Sequence, residues 1–592
     1  MCGIAGNLHW KPMQENNFVK EMCDRMIHRG PNDGLISNLD NISLGHRRLS
    51  IIDLSNNANQ PMVSMDGRYH IVYNGEVYNF QIIREELKQC GYIFKSTSDT
   101  EVVLYSYAEW GVECLQKFNG MYAFAIWDSK INQLFIARDR FGKKPLYYHI
   151  NDRKEFTFAS ELTALTVDDT IPKKVSFEAL NCYLAIGYIL SPMTLYEDIF
   201  KLESATYLIV SDRGERITKV RYWNYADSFR TKTDANELEI SERLVFLLRE
   251  AVKRRLVSDV PVGSFLSGGL DSTSIVSLMK KDLKDDLHTF SVGFDQEGYD
   301  EIPDAVRASE WISTIHHNHY CELNENLDLL NSAIDGFDEP FADNSLVPTF
   351  DLCKLASRYV TVALSGDGAD ELFAGYMTYK ADKYYNYTKF VPYIIKKMLF
   401  RLGTLSIGQK NKLGWGYKTR QFFYGSLHQP EKAHYLWRVF FHPEDRVNIL
   451  GEEYRELIYD TDPFNIFKKY YDKAMDLNIL DKYLYVDGMT WLTDDVLVKV
   501  DRASMQHSLE VRCPYLDIDV VNYAASIPEN MKMKGFKTKY ILKKALKDIV
   551  PEFVLSKKKS GFNAPIGSWL DINELDEFRI FNKYVYNRKV KI

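Results

Sequence analysis

No apolar run in this 592-residue chain reaches the roughly 18 residues that a membrane-spanning helix requires. The first thirty residues also lack the charged head and apolar stretch of a secretory signal, so the cytoplasm is the expected address and membrane partners are not expected. Cysteine is sparse: the eight present form no C-x-x-C pair and have no histidines at zinc-finger spacing, which argues against disulfides and structural zinc. Positive charge is not in excess. The formal net charge is -7 and the sequence pI about 6.1, which gives no general affinity for nucleic acid. Charged residues at 26% and apolar ones at 45% are the balance of a folded chain rather than a disordered one. Internal repeats and low-complexity tracts are missing too, and the length calls for two or three domains.

Up to about residue 210, short apolar segments such as "RYHIVYNGEVYN", "MYAFAIWDS" and "QLFIARDR" alternate with Gly, Asn and Asp, the spacing of many short strands in layered sheets. Two helices interrupt them. "NFQIIREELKQC" places Ile82, Ile83, Leu87 and Cys90 on a helical repeat, and "DTEVVLYSYAEWG" ends at Gly111. From about Glu239 the texture becomes helix, strand, helix, with apolar runs that stop at Gly-rich turns. That pattern predicts a parallel sheet with ligand chemistry at its carboxyl edge. The domains expected are residues 1–210 and 236–592, joined by a polar linker at 211–235. Residues 389–480 are rich in aromatic and basic side chains and read as helices. For "VPYIIKKMLFRL" ordinary amphipathic packing is expected, in preference to a membrane-surface role.

Cys2 directly follows Met1, and loss of Met1 would leave a thiol and a free α-amine on one residue. The amine, with a pKa near ~7.7, can accept the thiol proton, so nucleophile and base share a position. Asn74 and Gly75 close an apolar strand, where an amide and a backbone N–H suit an oxyanion. Arg48 and Asp99 offer opposite charges for the carboxylate and ammonium of an amino acid. Each admits a plainer role: surface cation for Arg48, hairpin turn for Asn74-Gly75, helix cap for Asp99.

In the second half, "VPVGSFLSGGLDSTSIVSLMK" reads as strand, Ser/Gly loop and helix. Backbone N–H groups of such a loop and the following helix N-terminus cradle phosphate oxygens. Gly268 and Gly269 permit close approach, and Ser267 and Ser272 add hydroxyls. The stretch is neither a P-loop nor a G-x-G-x-x-G turn.

Met-Cys-Gly-Ile at the start, His28 to Pro31, Arg48 to Asp53, Tyr73 to Glu76 and Ser98 to Glu101 together resemble the class II glutamine amidotransferases. That resemblance implies an Ntn-hydrolase αββα sandwich in which Cys2 attacks glutamine, Asn74 and Gly75 hold the oxyanion, and Arg48, Asn74, Glu76 and Asp99 bind the substrate. The Ser267–Ser272 loop resembles that of the ATP pyrophosphatases, an α/β fold with a parallel sheet of the adenine nucleotide alpha-hydrolase type. It implies ATP as substrate, enclosed by Leu266, Ser267, Gly268, Gly269, Asp271, Ser272, Val292, Ser365 and Gly366, with Mg²⁺ held by Asp271 and Asp370. Helix capping is the plainer role of Asp370.

With "DEPFADNSLVPTF", "LVKVDRASMQHSLEVRCPYLD" and "SKKKSGFNAPIGSWL", residues 2 to 570 look like the glutamine-hydrolysing asparagine synthetases. The family implies that Lys559 neutralises phosphate charge, that Asp367 handles protons during ammonia attack, and that a buried passage carries ammonia between sites. Asp367 stands where some members carry Glu, and Lys557, Cys513 and Ala374 also depart from common choices. Aspartate is the acceptor expected first; a sugar uronic acid is the nearest rival, and a non-catalytic glutamine or nucleotide sensor is the reading from another class. A homodimer is left open.

Overall fold

Strand Gly120–Asp128 is buried on both faces, and its alternate residues enter different cores. Tyr122, Phe124 and Ile126 face one, while Ala123, Ala125 and Trp127 face the other, the period of two that a strand imposes. The computed structural model describes residues 2–9, 17–283, 286–296, 299–321, 326–388, 390–405, 415–557, 561–570 and 577–590.

Two six-stranded antiparallel sheets stack in the first half. One runs Ile199–Lys201, Tyr147–Ile150, Phe156–Ala159, Gly3–Leu8, Ile42–Arg48, Asp33–Asn38. The other runs Arg216–Arg221, Thr206–Ser211, Gln133–Arg138, Gly120–Asp128, Tyr69–Val77, Met62–Val63. Between them lie Ile4, Leu8, Val72, Trp127 and Phe158. Helix Asn17–Asp24 covers the outer face of the first sheet through Val19, Met22 and Cys23; helices Phe80–Gln89 and Asp99–Trp110 cover the second. The result is the four-layer αββα sandwich expected. Within Phe80–Gln89 the buried side chains are Phe80, Ile83 and Leu87, whereas Ile82 and Cys90 are exposed. An i, i+3, i+7 stripe through Phe80 rotates Ile82 off the packed face.

The third sheet is parallel, in the order Ile315–Cys321, His288–Phe294, Val262–Phe265, Val362–Leu364, Glu510–Arg512. Winding begins at the central strand Val262–Phe265 and proceeds first to one side, then to the other. The topological switch therefore falls between Val262–Phe265 and Val362–Leu364, where such sheets bind ligands beyond their carboxyl ends. Helix Glu237–Arg255 precedes the sheet, with a capping box of Asn236 and Glu239 at its start.

Two expectations change. Residues 211–235 are no plain linker: strand Arg216–Arg221 pairs with Thr206–Ser211, and Tyr225 and Phe229 are buried in the core of the second half. The polar strand has little apolar alternation because it edges its sheet, so its pattern was faint in sequence. Helix Tyr393–Leu405 turns only part of its apolar side inward: Phe400 packs on Tyr424, but Ile394 and Met398 are exposed while Lys396 is buried.

Candidate active sites

Cys2 lies just before strand Gly3–Leu8, and its backbone is fixed from both sides. Its N–H donates to Asn74 Oδ1 at 3.1 Å, and its carbonyl accepts from Arg29 Nε at 3.1 Å. Asn74 is fully buried, and its Nδ2 has no hydrogen-bond partner among the described residues. A buried amide donor left unmatched costs roughly 1–3 kcal/mol unless a ligand completes it. Asn74 and Gly75 sit within strand Tyr69–Val77, not in a hairpin turn, and a Cβ on Gly75 would lie 2.3 Å from Met121 O. Only glycine fits there. Burial pushes the Cys2 thiol above its ordinary pKa, so the nucleophile needs a base close by.

Cys2, Arg48, Gly75, Glu76, Asp99 and Glu510 line one cavity. Arg48 is a buried cation rather than a surface one. Its guanidinium donates to Ser55 O at 2.9 Å, to Asn59 Oδ1 at 2.6 Å and to Asp53 O, which shapes the loop over the cavity. Asp99 does not serve as a helix cap: Ser98 holds that position, and the Asp99 carboxylate accepts from Tyr73 Oη at 2.6 Å and Val77 N at 3.0 Å. Burial nevertheless pushes its pKa up to about 6. Glu76 is raised as well, by burial first and then by Asp99. Buried carboxylates that are costly to ionise favour an incoming ammonium.

Glu510 was not singled out in the sequence, because it belongs to the strand Glu510–Arg512 of the other half. Against the upward push of burial, Arg512 beside it holds Glu510 below the usual carboxylate range. Arg512 is fully buried, with Nε 2.6 Å from Glu510 and a terminal nitrogen 3.5 Å from Glu76. Arg512→Met would remove the buried cation that both carboxylates share. The expected cost is about 3–5 kcal/mol in urea denaturation; a loss under ~1 kcal/mol would show that the pair contributes no net stability.

The second site lies at the switch point. Loop Ser267–Ser272 follows Val262–Phe265, and loop Ser365–Gly368 follows Val362–Leu364. Ser267 N–H donates to Ser272 Oγ at 3.1 Å, and Gly268 has φ +65 with Asp304 so close that any Cβ would clash. A Cβ on Gly366 would lie 2.9 Å from Asp271 Cβ, so the two loops touch. Leu266 and Val292 are buried beneath them. Asp271 and Asp370 converge: Lys539 Nζ is 2.6 Å from an oxygen of each. Lys539 was missed because "FKTKYILKK" carries no pattern beyond an ordinary basic helix start. Lys539 fills the position between the two carboxylates, which are the hard oxygen donors that Mg²⁺ takes together with phosphate oxygens.

Ser365 Oγ donates to Asp367 Oδ2 at 2.7 Å, and burial raises the Asp367 carboxyl. Lys499 Nζ pairs with Asp343 at 2.5 Å and reaches Ser345 Oγ at 2.6 Å, which joins two motifs quoted above without an assigned role. Lys559 lies outside the described residues. Lys557 Nζ is 3.4 Å from Ser267 O and 2.7 Å from Asp304, so a lysine of that run does reach the glycine loop.

The two sites share a strand. Glu510 lines the first cavity, Arg512 O accepts Ser365 N–H at 2.9 Å, and Cys513 Sγ is 3.5 Å from Ser365 Oγ. A second, narrow cavity lies between the halves, lined by Leu146 and Tyr147 from one and Leu497 and Val498 from the other.

Residues 244–580 match the asparagine synthase family and residues 1–223 the glutamine amidotransferase domain. The glutamine-hydrolyzing asparagine synthetase 1 of Bacillus subtilis (strain 168) is 35% identical over 98% of this chain and 89% of its own length. A putative glutamine-hydrolyzing asparagine synthetase 2 of Methanocaldococcus jannaschii is 36% identical over 85% of this chain and 98% of its own. The amidase chyE of Penicillium rubens is similar more distantly, at 28% identity over 96% and 89%.

Proposed function

Since this chain belongs to the asparagine synthase family, we propose that it converts aspartate, glutamine and ATP to asparagine, glutamate, AMP and pyrophosphate. The observation that carries the reading is the pairing, in one molecule, of Cys2 against the unmatched Asn74 amide with two convergent carboxylates beside a glycine loop.

At the first site the Cys2 sulfur attacks the glutamine side-chain amide carbon, with its proton taken by the α-amine that removal of Met1 would free. Asn74 Nδ2 and the Gly75 N–H donate hydrogen bonds to the developing oxyanion. Ammonia departs, and water releases glutamate from the thioester. Arg48 binds the substrate carboxylate; Asp99 and Glu76 bind its ammonium.

At the second site the Ser267–Ser272 loop holds the ATP phosphates while the aspartate side-chain carboxylate attacks the α-phosphorus and pyrophosphate leaves. Asp271 and Asp370 would hold Mg²⁺, which would neutralise phosphate charge. Ammonia then attacks the acyl carbon, Asp367 takes a proton, and AMP leaves. Lys559 is assigned to phosphate charge, as the family implies. Ammonia made inside the protein avoids protonation and dilution, and its route is assigned to the buried interface between the halves.

Purified protein given ATP, glutamine and aspartate is expected to yield equal amounts of AMP, pyrophosphate and asparagine. Formation of ADP would overturn the adenylate step. Pyrophosphate release that ignores aspartate but responds to a uronic acid would reassign the acceptor.

A further inference from the structure

Helix Tyr393–Leu405 presents the wrong face to water for a helix that merely caps a domain. Inward it sets Lys396, buried, with Nζ donating to Ser426 O at 3.1 Å, and Phe400, whose ring lies 5.1 Å from that of Tyr424. Outward it sets Ile394, 79% exposed, and Met398, 57% exposed, one turn apart; Phe390, 91% exposed, lies in the turn before the helix. Tyr393, at the start of the helix, is exposed as well, as is Tyr387 in the preceding helix. Isolated exposed apolar side chains need no explanation, but a contiguous line of them marks an interaction surface.

The surrounding charge indicates what covers it. Lys397 and Arg401 are exposed and fall within the same helical arc as Ile394 and Met398. In sequence, residues 383 to 430 carry no Asp or Glu, within a protein of net charge -7, so no acidic side chain of this segment opposes Lys397 and Arg401. Apolar side chains at the centre, tyrosines at the margin and cations beside them match the layering of a bilayer surface: acyl chains, interface, anionic headgroups. No helix among the described residues is long and apolar enough to cross a membrane, so the contact is peripheral.

We propose that the Phe390–Met398 face docks this protein on an anionic lipid surface, with the helix lying along the interface. The test uses the full chain and flotation with two kinds of vesicle, phosphatidylcholine alone and equal parts phosphatidylcholine and phosphatidylglycerol. Binding is expected to the mixed vesicles, at least ~10-fold weaker to the neutral ones, and reduced by salt. I394E/M398E should lower binding by at least ~10-fold, and K397Q/R401Q by ~5-fold or more, while both variants keep full amidotransfer activity in solution. Failure to float with anionic vesicles would overturn the proposal, as would equal, salt-independent binding to both kinds. So would a dimer, seen by sedimentation velocity, that I394E/M398E dissociates in protein that never binds vesicles, because a second copy would then be the occupant.

Discussion

Cys2→Ala is expected to lower glutamine-dependent synthesis by at least ~10³-fold and to leave synthesis from added ammonium within about twofold of the parent protein. The separation follows from geometry. Cys2 is held by Asn74 and Arg29 through its backbone atoms, so removing the sulfur leaves both anchors in place. None of the groups around the glycine loop touches the thiol. The shared strand Glu510–Arg512 connects the sites through backbone and ion pairs that alanine at position 2 does not alter. Measuring asparagine from each nitrogen source by chromatography checks the split. Loss of both activities would mean that the sulfur also supports the synthetase half, and retention of both would place the nucleophile elsewhere. The same material tests the amine's role, since mass spectrometry of the active parent should find Met1 removed.

The sandwich and the parallel sheet were legible because each rests on short-range signals: alternation in "MYAFAIWDS", a Gly-rich turn after "VPVGSFL", a helix ended by Gly111. Cys2, Asn74, Gly75, Arg48, Glu76 and Asp99 were legible as motifs, and the structure brings them around one cavity or its wall. What stayed hidden is long-range. Glu510 enters the glutamine cavity from a strand more than 400 positions away, and Lys539 reaches Asp271 and Asp370 from beyond the third sheet. A lysine or a glutamate in a polar stretch carries no period that betrays a buried partner. Helix 393–405 illustrates a related limit of pattern: an amphipathic period does not state which face the protein buries, and here Lys396 and Phe400 turn inward while Ile394 and Met398 turn out.

Asp271→Asn is expected to reduce synthesis by about 10³-fold with either nitrogen source while glutaminase activity persists, the complement of the Cys2 result. Asp271 lies in the first turn of helix Leu270–Asp282, and asparagine changes its charge with almost no change in volume. Against burial, Asp271 and Asp370 together hold the Lys539 ammonium above its ordinary pKa, and losing one carboxylate still leaves Lys539 paired with Asp370. The fold should therefore survive, with a melting temperature within a few degrees of the parent, roughly what a loss under ~1 kcal/mol allows. The chemistry should not survive, because Asp271 is one of the two carboxylates that would hold Mg²⁺, which would supply neutralising charge to the departing pyrophosphate. Aspartate-dependent exchange of labelled pyrophosphate into ATP reads this step without ammonia. Exchange that continues at the parent rate in Asp271→Asn would remove Asp271 from the adenylation site and leave Lys539 and Asp370 as a structural ion pair.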